Sequence, residues 1–63
     1  MNIVCTSKPF DGLFYYSYEY SRYLDVPLVI IVHPGFTEQD YINSIQSKYI
    51  ICKDVYFDFT PIN

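Results

Sequence analysis

The hydrophobic positions of the chain fall into three short runs separated by more polar segments. The clearest run, residues 27–32, is continuously apolar and is closed by the sequence His-Pro-Gly. It is too short for a typical helix, and unbroken hydrophobicity is typical of a strand with both faces covered, as in a parallel sheet. Residues 1–6 form a shorter run, and residues 49–59 form a third that alternates apolar and polar positions from Asp54 onward. The pattern therefore predicts three strands.

The segment between the second and third runs predicts a helix with a well-defined start. Thr37 is a residue type that caps helices, and Glu38 and Asp40 place negative charge in the first turn, where the helix dipole favours it. Asp40 also stands three residues after Thr37, in the position of a capping-box acid. The apolar positions that share one helical face are Tyr41, Ile42, Ile45 and Tyr49.

Residues 13–24 are ambiguous, and they decide the fold. As a helix they would bury one apolar stripe and turn Tyr15, Glu19 and Arg22 outward. The stripe would consist of Leu13, Tyr16, Tyr20, Tyr23 and Leu24. As a strand they would alternate, and the tyrosines favour this alternative. The length of the segment, the Asp-Gly pair before it and the interruption of the alternation at Arg22 favour the helix.

With residues 13–24 helical, the order of elements is strand, helix, strand, helix, strand. Such alternation predicts an α/β fold in which a three-stranded parallel sheet is joined by two crossover helices, which is half of a doubly wound, Rossmann-like fold. A chain of 63 residues can hold only one core. We therefore expect residues 1–63 to form a single small α/β domain.

Aromatic residues are numerous for a chain of this size. Eight tyrosines and five phenylalanines make up 21% of the sequence, which is more than one small core can hide. Aromatic surface that stays outside the core tends to become an interface. A small chain with neither a disulfide framework nor a metal cluster also needs help to fold. We therefore expect either a homo-oligomer or the C-terminal remainder of a larger fold as partner.

Charge and cysteine content exclude several classes of protein. The net charge is −3, and the four basic residues are scattered along the chain, which argues against a nucleic-acid partner. The sequence shows neither an apolar run of membrane-spanning length nor a signal peptide, so we expect a cytoplasmic protein without a membrane partner. Cys5 and Cys52 lie in apolar runs and are expected to be buried, reduced thiols.

Candidate ligand-binding residues follow from the predicted topology. In an open parallel sheet, ligands bind at the carboxyl ends of the strands, where loops and helix N-termini present free backbone N–H groups. The rule selects residues 6–12, 33–37 and 58–61, and the candidate ligand-binding residues among them are Ser7, Lys8, Asp11, Gly12 and His33. His33 is the only histidine and could act as a general base, and Asp11 could orient a ligand hydroxyl. Both are also residue types that commonly occur in turns.

Other chemistry has little support in the sequence. The loop at residues 8–12 contains one glycine, so it is neither a Walker loop nor a dinucleotide fingerprint, and no cofactor is predicted. One histidine and two separated cysteines make no zinc site, and no metal is expected. A nucleophilic set of Cys5, His33 and Asp58 is disfavoured because Cys5 lies inside an apolar strand. No catalytic residue is assigned.

Two stretches of the sequence resemble a known family. Residues 1–12, MNIVCTSKPFDG, followed by a helix and then by residues 27–34, PLVIIVHP, are similar to the opening of two-domain glycosyltransferases of the GT-B type. The resemblance implies a truncated, acceptor-side N-terminal part of a sugar-transfer enzyme, with a sugar acceptor as its ligand. In that family the nucleotide sugar is held mainly by the C-terminal half. The resemblance therefore implies that the isolated chain is inactive.

A second interpretation assigns the chain to a different class of protein. It is a small, tyrosine-rich protein-interaction module that self-associates, and in this interpretation the tyrosine-rich segment is a strand. The first interpretation depends on the loops at the carboxyl edge of the sheet, and the second depends on the aromatic surface.

Overall fold

A computed structural model describes residues 1–49 and 54–59 of the chain. In chain order the elements are β1 (Ile3–Cys5), α1 (Gly12–Leu24), β2 (Leu28–Ile31), α2 (Glu38–Gln46) and β3 (Val55–Asp58). The three strands form one parallel sheet in the order β1-β2-β3. The predicted α/β fold is confirmed, and the strand order is consistent with half of a Rossmann-like fold.

The third predicted run is only partly described. Its alternating section forms β3, whereas Tyr49 follows α2 without joining a strand. Residues 50–53 lie outside the described residues, and the prediction for Cys52 therefore falls outside them as well.

Helix α1 settles the ambiguity of residues 13–24. It begins after Asp11, which has extended backbone angles and accepts the N–H of Leu13 with its side chain. It ends at Asp25, whose φ of 56° is left-handed. That geometry lets the N–H of Val26 reach the carbonyl oxygen of Ser21 at 3.0 Å, a bond that satisfies one of the last carbonyl groups of the helix.

The predicted inward face of α1 is wrong. The residues that α1 buries are Phe14, Tyr15, Tyr18 and Ser21. The residues predicted to be buried, Leu13, Tyr16, Tyr20, Tyr23 and Leu24, are all exposed. Both faces are apolar, so the helical period alone could not choose between them. The buried face carries Phe14, which has no hydroxyl group to satisfy, and it carries Tyr15, whose hydroxyl group reaches α2.

Helix α2 begins as the sequence predicts. The N–H of Asp40 donates to the side-chain oxygen of Thr37 at 3.3 Å, and the N–H of Thr37 donates to the Asp40 carboxylate at 2.8 Å. This reciprocal capping box confirms the predicted start of the helix. Tyr41 and Ile45 are fully buried, while Ile42 and Tyr49, on the same predicted face, are partly buried.

The core lies on one side of the sheet. Its members come from alternate positions of the strands and from the inner faces of both helices: Cys5, Phe14, Tyr15, Tyr18, Leu28, Ile30, Val32, Tyr41 and Ile45. The Cys5 thiol is buried and free, as predicted. Successive crossovers that have the same hand and move in the same direction across a sheet place their helices on the same face.

The opposite face of the sheet is open. Val4 and Tyr56 point away from the core and are each 58% exposed. They stand in one register row with Val29, which pairs with both. We call the row Val4, Val29 and Tyr56 the open sheet face. Within residues 1–49 and 54–59, no helix or strand covers it, so the expectation that both faces of the central strand are covered is wrong for this part of the chain.

Candidate functional site

The carboxyl ends of β1 and β2 meet at one edge of the sheet, as the parallel topology requires. Nε2 of His33 donates to the carbonyl oxygen of Thr6 at 2.5 Å. The hydroxyl group of Tyr41 donates to the carbonyl oxygen of Ser7 at 3.0 Å and accepts the backbone N–H of His33 at 3.1 Å. The structure therefore brings Ser7 and His33 together, and Tyr41, which the sequence placed only in the core, joins them.

Burial raises the pKa of the Tyr41 hydroxyl group above its ordinary value of 10.0, although the N–H donated by His33 opposes the shift. The neutral hydroxyl group is both a donor and an acceptor, and both roles are used here. Tyr41 is therefore held as a structural connector between the two loops.

The other predicted ligand-binding residues have different positions. The Asp11 side chain caps α1 through the N–H of Leu13, at 3.5 Å, so the structure gives this carboxylate the turn-and-cap role. Gly12 is the first residue of α1, and a Cβ atom added there would meet no other atom within 4 Å. Lys8 is exposed. Of the predicted residues, Ser7 and His33 are linked through Tyr41, whereas Asp11 and Gly12 lie at the start of α1.

A buried serine of α2, Ser44, holds the loop that follows β1 by a hydrogen bond. Phe10 has a left-handed backbone, with φ of 64°, and its N–H donates to the side-chain oxygen of Ser44 at 2.9 Å. The Ser44 hydroxyl group donates in turn to the Tyr15 hydroxyl group at 2.9 Å. Ser44 is fully buried and stands next to Ile45 on the inner face of α2. A small polar residue at helical spacing from Tyr41 was the only sequence signal for this contact.

A second polar cluster lies at the far side of α1. The hydroxyl group of Tyr49 donates to the carboxylate of Glu19 at 2.5 Å, and the guanidinium carbon of Arg22 lies 5.0 Å from the centre of the Tyr49 ring. Burial, followed by the Glu19 hydrogen bond and charge, raises the pKa of Tyr49 to about 12. These three residues and Tyr23 line a shallow surface depression of 460 Å³.

The outer face of α1 carries a row of exposed apolar side chains. We define the α1 stripe as Leu13, Tyr16, Tyr20 and Tyr23. The rings of Tyr16 and Tyr20 pack on one another, with centroids 5.9 Å apart. Together with Glu19, the three tyrosines line a second depression of 360 Å³. The stripe combines hydrophobic ring area with the hydroxyl groups of the tyrosines, which suits it to protein contact.

The described residues contain no group of three His, Cys, Asp or Glu side chains placed to hold a metal ion. Among the same residues, no helix is long and apolar enough to cross a membrane. Comparison of the chain with family models, with curated proteins and with solved structures finds no match.

Proposed function

We propose that this chain is a protein-interaction module that self-associates through its exposed aromatic surface. The observation that carries the proposal is the distribution of large apolar side chains. In residues 1–49 and 54–59, eleven are exposed, whereas nine residues form the hydrophobic core. Scattered apolar residues on a surface need no explanation, but contiguous ones mark interaction sites.

Two contiguous surfaces are present, and they lie on different sides of the molecule. The α1 stripe lies on the outside of the helical layer, and the open sheet face lies on the far side of the sheet. In each of them apolar side chains are neighbours, by helical spacing in the first and by strand register in the second. The buried, free thiol of Cys5 is compatible with the reducing cytoplasm, where we place the module.

Sedimentation equilibrium of the full chain tests the proposal. Over protein concentrations from about 10 μM to 1 mM, the range of weak association constants, we expect the mean mass to rise above that of the 7.5 kDa monomer. A variant with Tyr16→Glu and Tyr56→Glu, one change on each surface, should stay monomeric throughout. A wild-type mass that remains at 7.5 kDa at every concentration would overturn the proposal.

The link that the Tyr41 hydroxyl group makes between Ser7 and His33 favours a second candidate, the acceptor side of a sugar-transfer fold. It is supported by the strand order and by the two loops that Tyr41 joins at the carboxyl edge. In this proposal a further Rossmann-like half would hold the nucleotide sugar, and the chain alone would be inactive.

An amide NMR titration with methyl glucoside as the probe sugar tests this second candidate. We expect millimolar binding, with shifts for Ser7, Lys8, Gly12 and His33 and none for Tyr23, which lies at the other end of α1. Unchanged amide positions up to about 100 mM sugar would remove the acceptor site, since that concentration saturates a millimolar site.

A further inference from the structure

We propose that two copies of the chain pair through the α1 stripe with their helices antiparallel. The inference rests on the proposed self-association, and it specifies which surface forms the interface and how the two copies are oriented. The exposed fractions of Tyr16, Tyr20 and Tyr23 are 67%, 48% and 84%, so the stripe offers most of its aromatic area to a partner.

The spacing of the stripe is that of a helix–helix seam. Its four residues are separated by three, four and three positions, which is the a and d pattern of a heptad. Side chains at these positions lie in one row along a helix and insert between the side chains of a facing helix. The row runs along the whole of α1, from its first turn to its last.

The same spacing is symmetric about Tyr18, and this symmetry argues for a second copy as the occupant. Tyr16 and Tyr20 stand two residues on either side of that midpoint, and Leu13 and Tyr23 stand five residues on either side. A two-fold axis at the midpoint of two antiparallel helices therefore places Tyr16 opposite Tyr20 of the second copy, and Leu13 opposite Tyr23. An interface of this kind is self-complementary without any further adjustment of the sequence.

An antiparallel arrangement also fits the electrostatics of the helices. It places the positive end of each helix dipole beside the negative end of the other, whereas a parallel pair would place like ends together. Glu19 borders the stripe, but its carboxylate accepts the hydroxyl group of Tyr49 and has the Arg22 side chain near that ring. These contacts hold the charge at the edge of the seam.

The available area fits a reversible dimer. A tyrosine side chain has an area of about 200 Å², so the exposed parts of the three tyrosines offer about 400 Å² per copy. Two copies would bury about 800 Å², and the leucines bring the total towards the lower limit of about 1,200 Å² for stable interfaces. We therefore expect a dimer that forms at high micromolar to millimolar concentration.

The closing experiment is a NOESY spectrum of the wild-type chain at about 1 mM, a concentration at which a weak dimer is populated. We expect cross-peaks between the methyl groups of Leu13 and the ring protons of Tyr23. In one copy these residues are ten positions apart, or about 15 Å along the helix, which is beyond the range of the effect. Such a cross-peak can therefore arise only between copies in the antiparallel arrangement.

Matched variants supply an independent measurement by sedimentation. Tyr20→Glu should raise the dimer dissociation constant at least about tenfold, because the charge enters the seam twice, once from each copy. Tyr56→Glu makes the same change on the open sheet face and should leave the constant within about twofold. Glutamate is a good helix former, so Tyr20→Glu should keep α1 intact, as circular dichroism would verify.

The outcomes separate this inference from the proposed function. Association without the Leu13–Tyr23 cross-peak, or association that Tyr56→Glu weakens and Tyr20→Glu does not, overturns the antiparallel α1 pair and leaves self-association standing. A strictly monomeric chain overturns both.

Discussion

Tyr41 illustrates how a single hydroxyl group can organise the edge of a sheet. Its ring is fully buried among core residues, and its hydroxyl group bonds to Ser7 and His33 in the loops that follow β1 and β2. Buried polar groups are costly to leave without partners, so these two hydrogen bonds fix the loops relative to each other.

Replacing Tyr41 with phenylalanine should lower the free energy of unfolding by about 1–3 kcal/mol, because a half-buried carbonyl group and an N–H lose their partner. Tyr23→Phe is the matched control and should change stability little, since Tyr23 is 84% exposed. Urea unfolding followed by circular dichroism measures both. Equal effects of the two variants would contradict the connecting role of Tyr41.

Tyr49 should make the chain sensitive to alkaline pH. Its pKa is about 12 in the folded protein, chiefly because of burial and then because of Glu19, and about 10 when unfolded. Between these values the unfolded chain has released a proton that the folded chain still holds, so stability is fully present below pH 10 and falls as the pH rises towards 12.

Unfolding free energies measured at about pH 9 and about pH 11 test this linkage. Tyr49→Phe should reduce the loss of stability between the two values, while the exposed control Tyr23→Phe should leave it unchanged. Part of the loss should persist in Tyr49→Phe, because the pKa of Tyr41 is also raised. An unchanged loss in Tyr49→Phe would contradict the raised pKa of Tyr49 in the folded chain.

At the scale of the elements, the sequence was sufficient to place a helix or strand wherever one local signal, such as a cap or a short apolar run, dominated. The capping residues Thr37 and Asp40 located the start of α2, and the short apolar runs located β1 and β2. The sequence did not predict which face of α1 is buried, because the helix has two apolar faces. The choice between them depends on tertiary contacts such as the edge-to-face packing of Phe14 on Tyr41.

The candidate site could likewise be predicted only in part from the sequence. Parallel topology was enough to place Ser7 and His33 at one edge of the sheet, since the ends of neighbouring parallel strands coincide. The contacts with Tyr41 and Ser44 could not be predicted, because they depend on how α2 packs against the loops. A tyrosine or serine on a helical face gives no sign of which distant backbone group it will meet.

The two faces of α1 should respond oppositely to truncation. Phe14→Ala removes a fully buried ring and should cost about 3–5 kcal/mol, which is enough to unfold a chain of this size. Tyr16→Ala, two residues along, removes an exposed ring and should leave the helical circular dichroism and the urea midpoint of the dilute monomer nearly unchanged. A larger loss of stability in Tyr16→Ala than in Phe14→Ala would mean that α1 buries the face that carries Tyr16, as first expected from the sequence.

At the scale of the whole molecule, the core lies on one side of the sheet, and the proposed self-association would therefore also stabilise the fold. Both helices cover the same face of the sheet, so the described part of the chain exposes apolar surface on two sides. Association that buries such surface stabilises the folded chain by mass action, because the unfolded chain cannot form the same interface.

The melting temperature should therefore depend on protein concentration. Between about 10 μM and 1 mM, a hundredfold change can add up to about 2.7 kcal/mol of linkage free energy, which for a domain of this size raises the melting temperature by several degrees or more. Tyr20→Glu, which blocks the seam, should melt at one temperature across this range, whereas Tyr56→Glu should keep the dependence. A wild-type melting temperature that does not move with concentration would mean that the exposed surfaces contribute nothing to the stability of the fold, and that the small core alone maintains it.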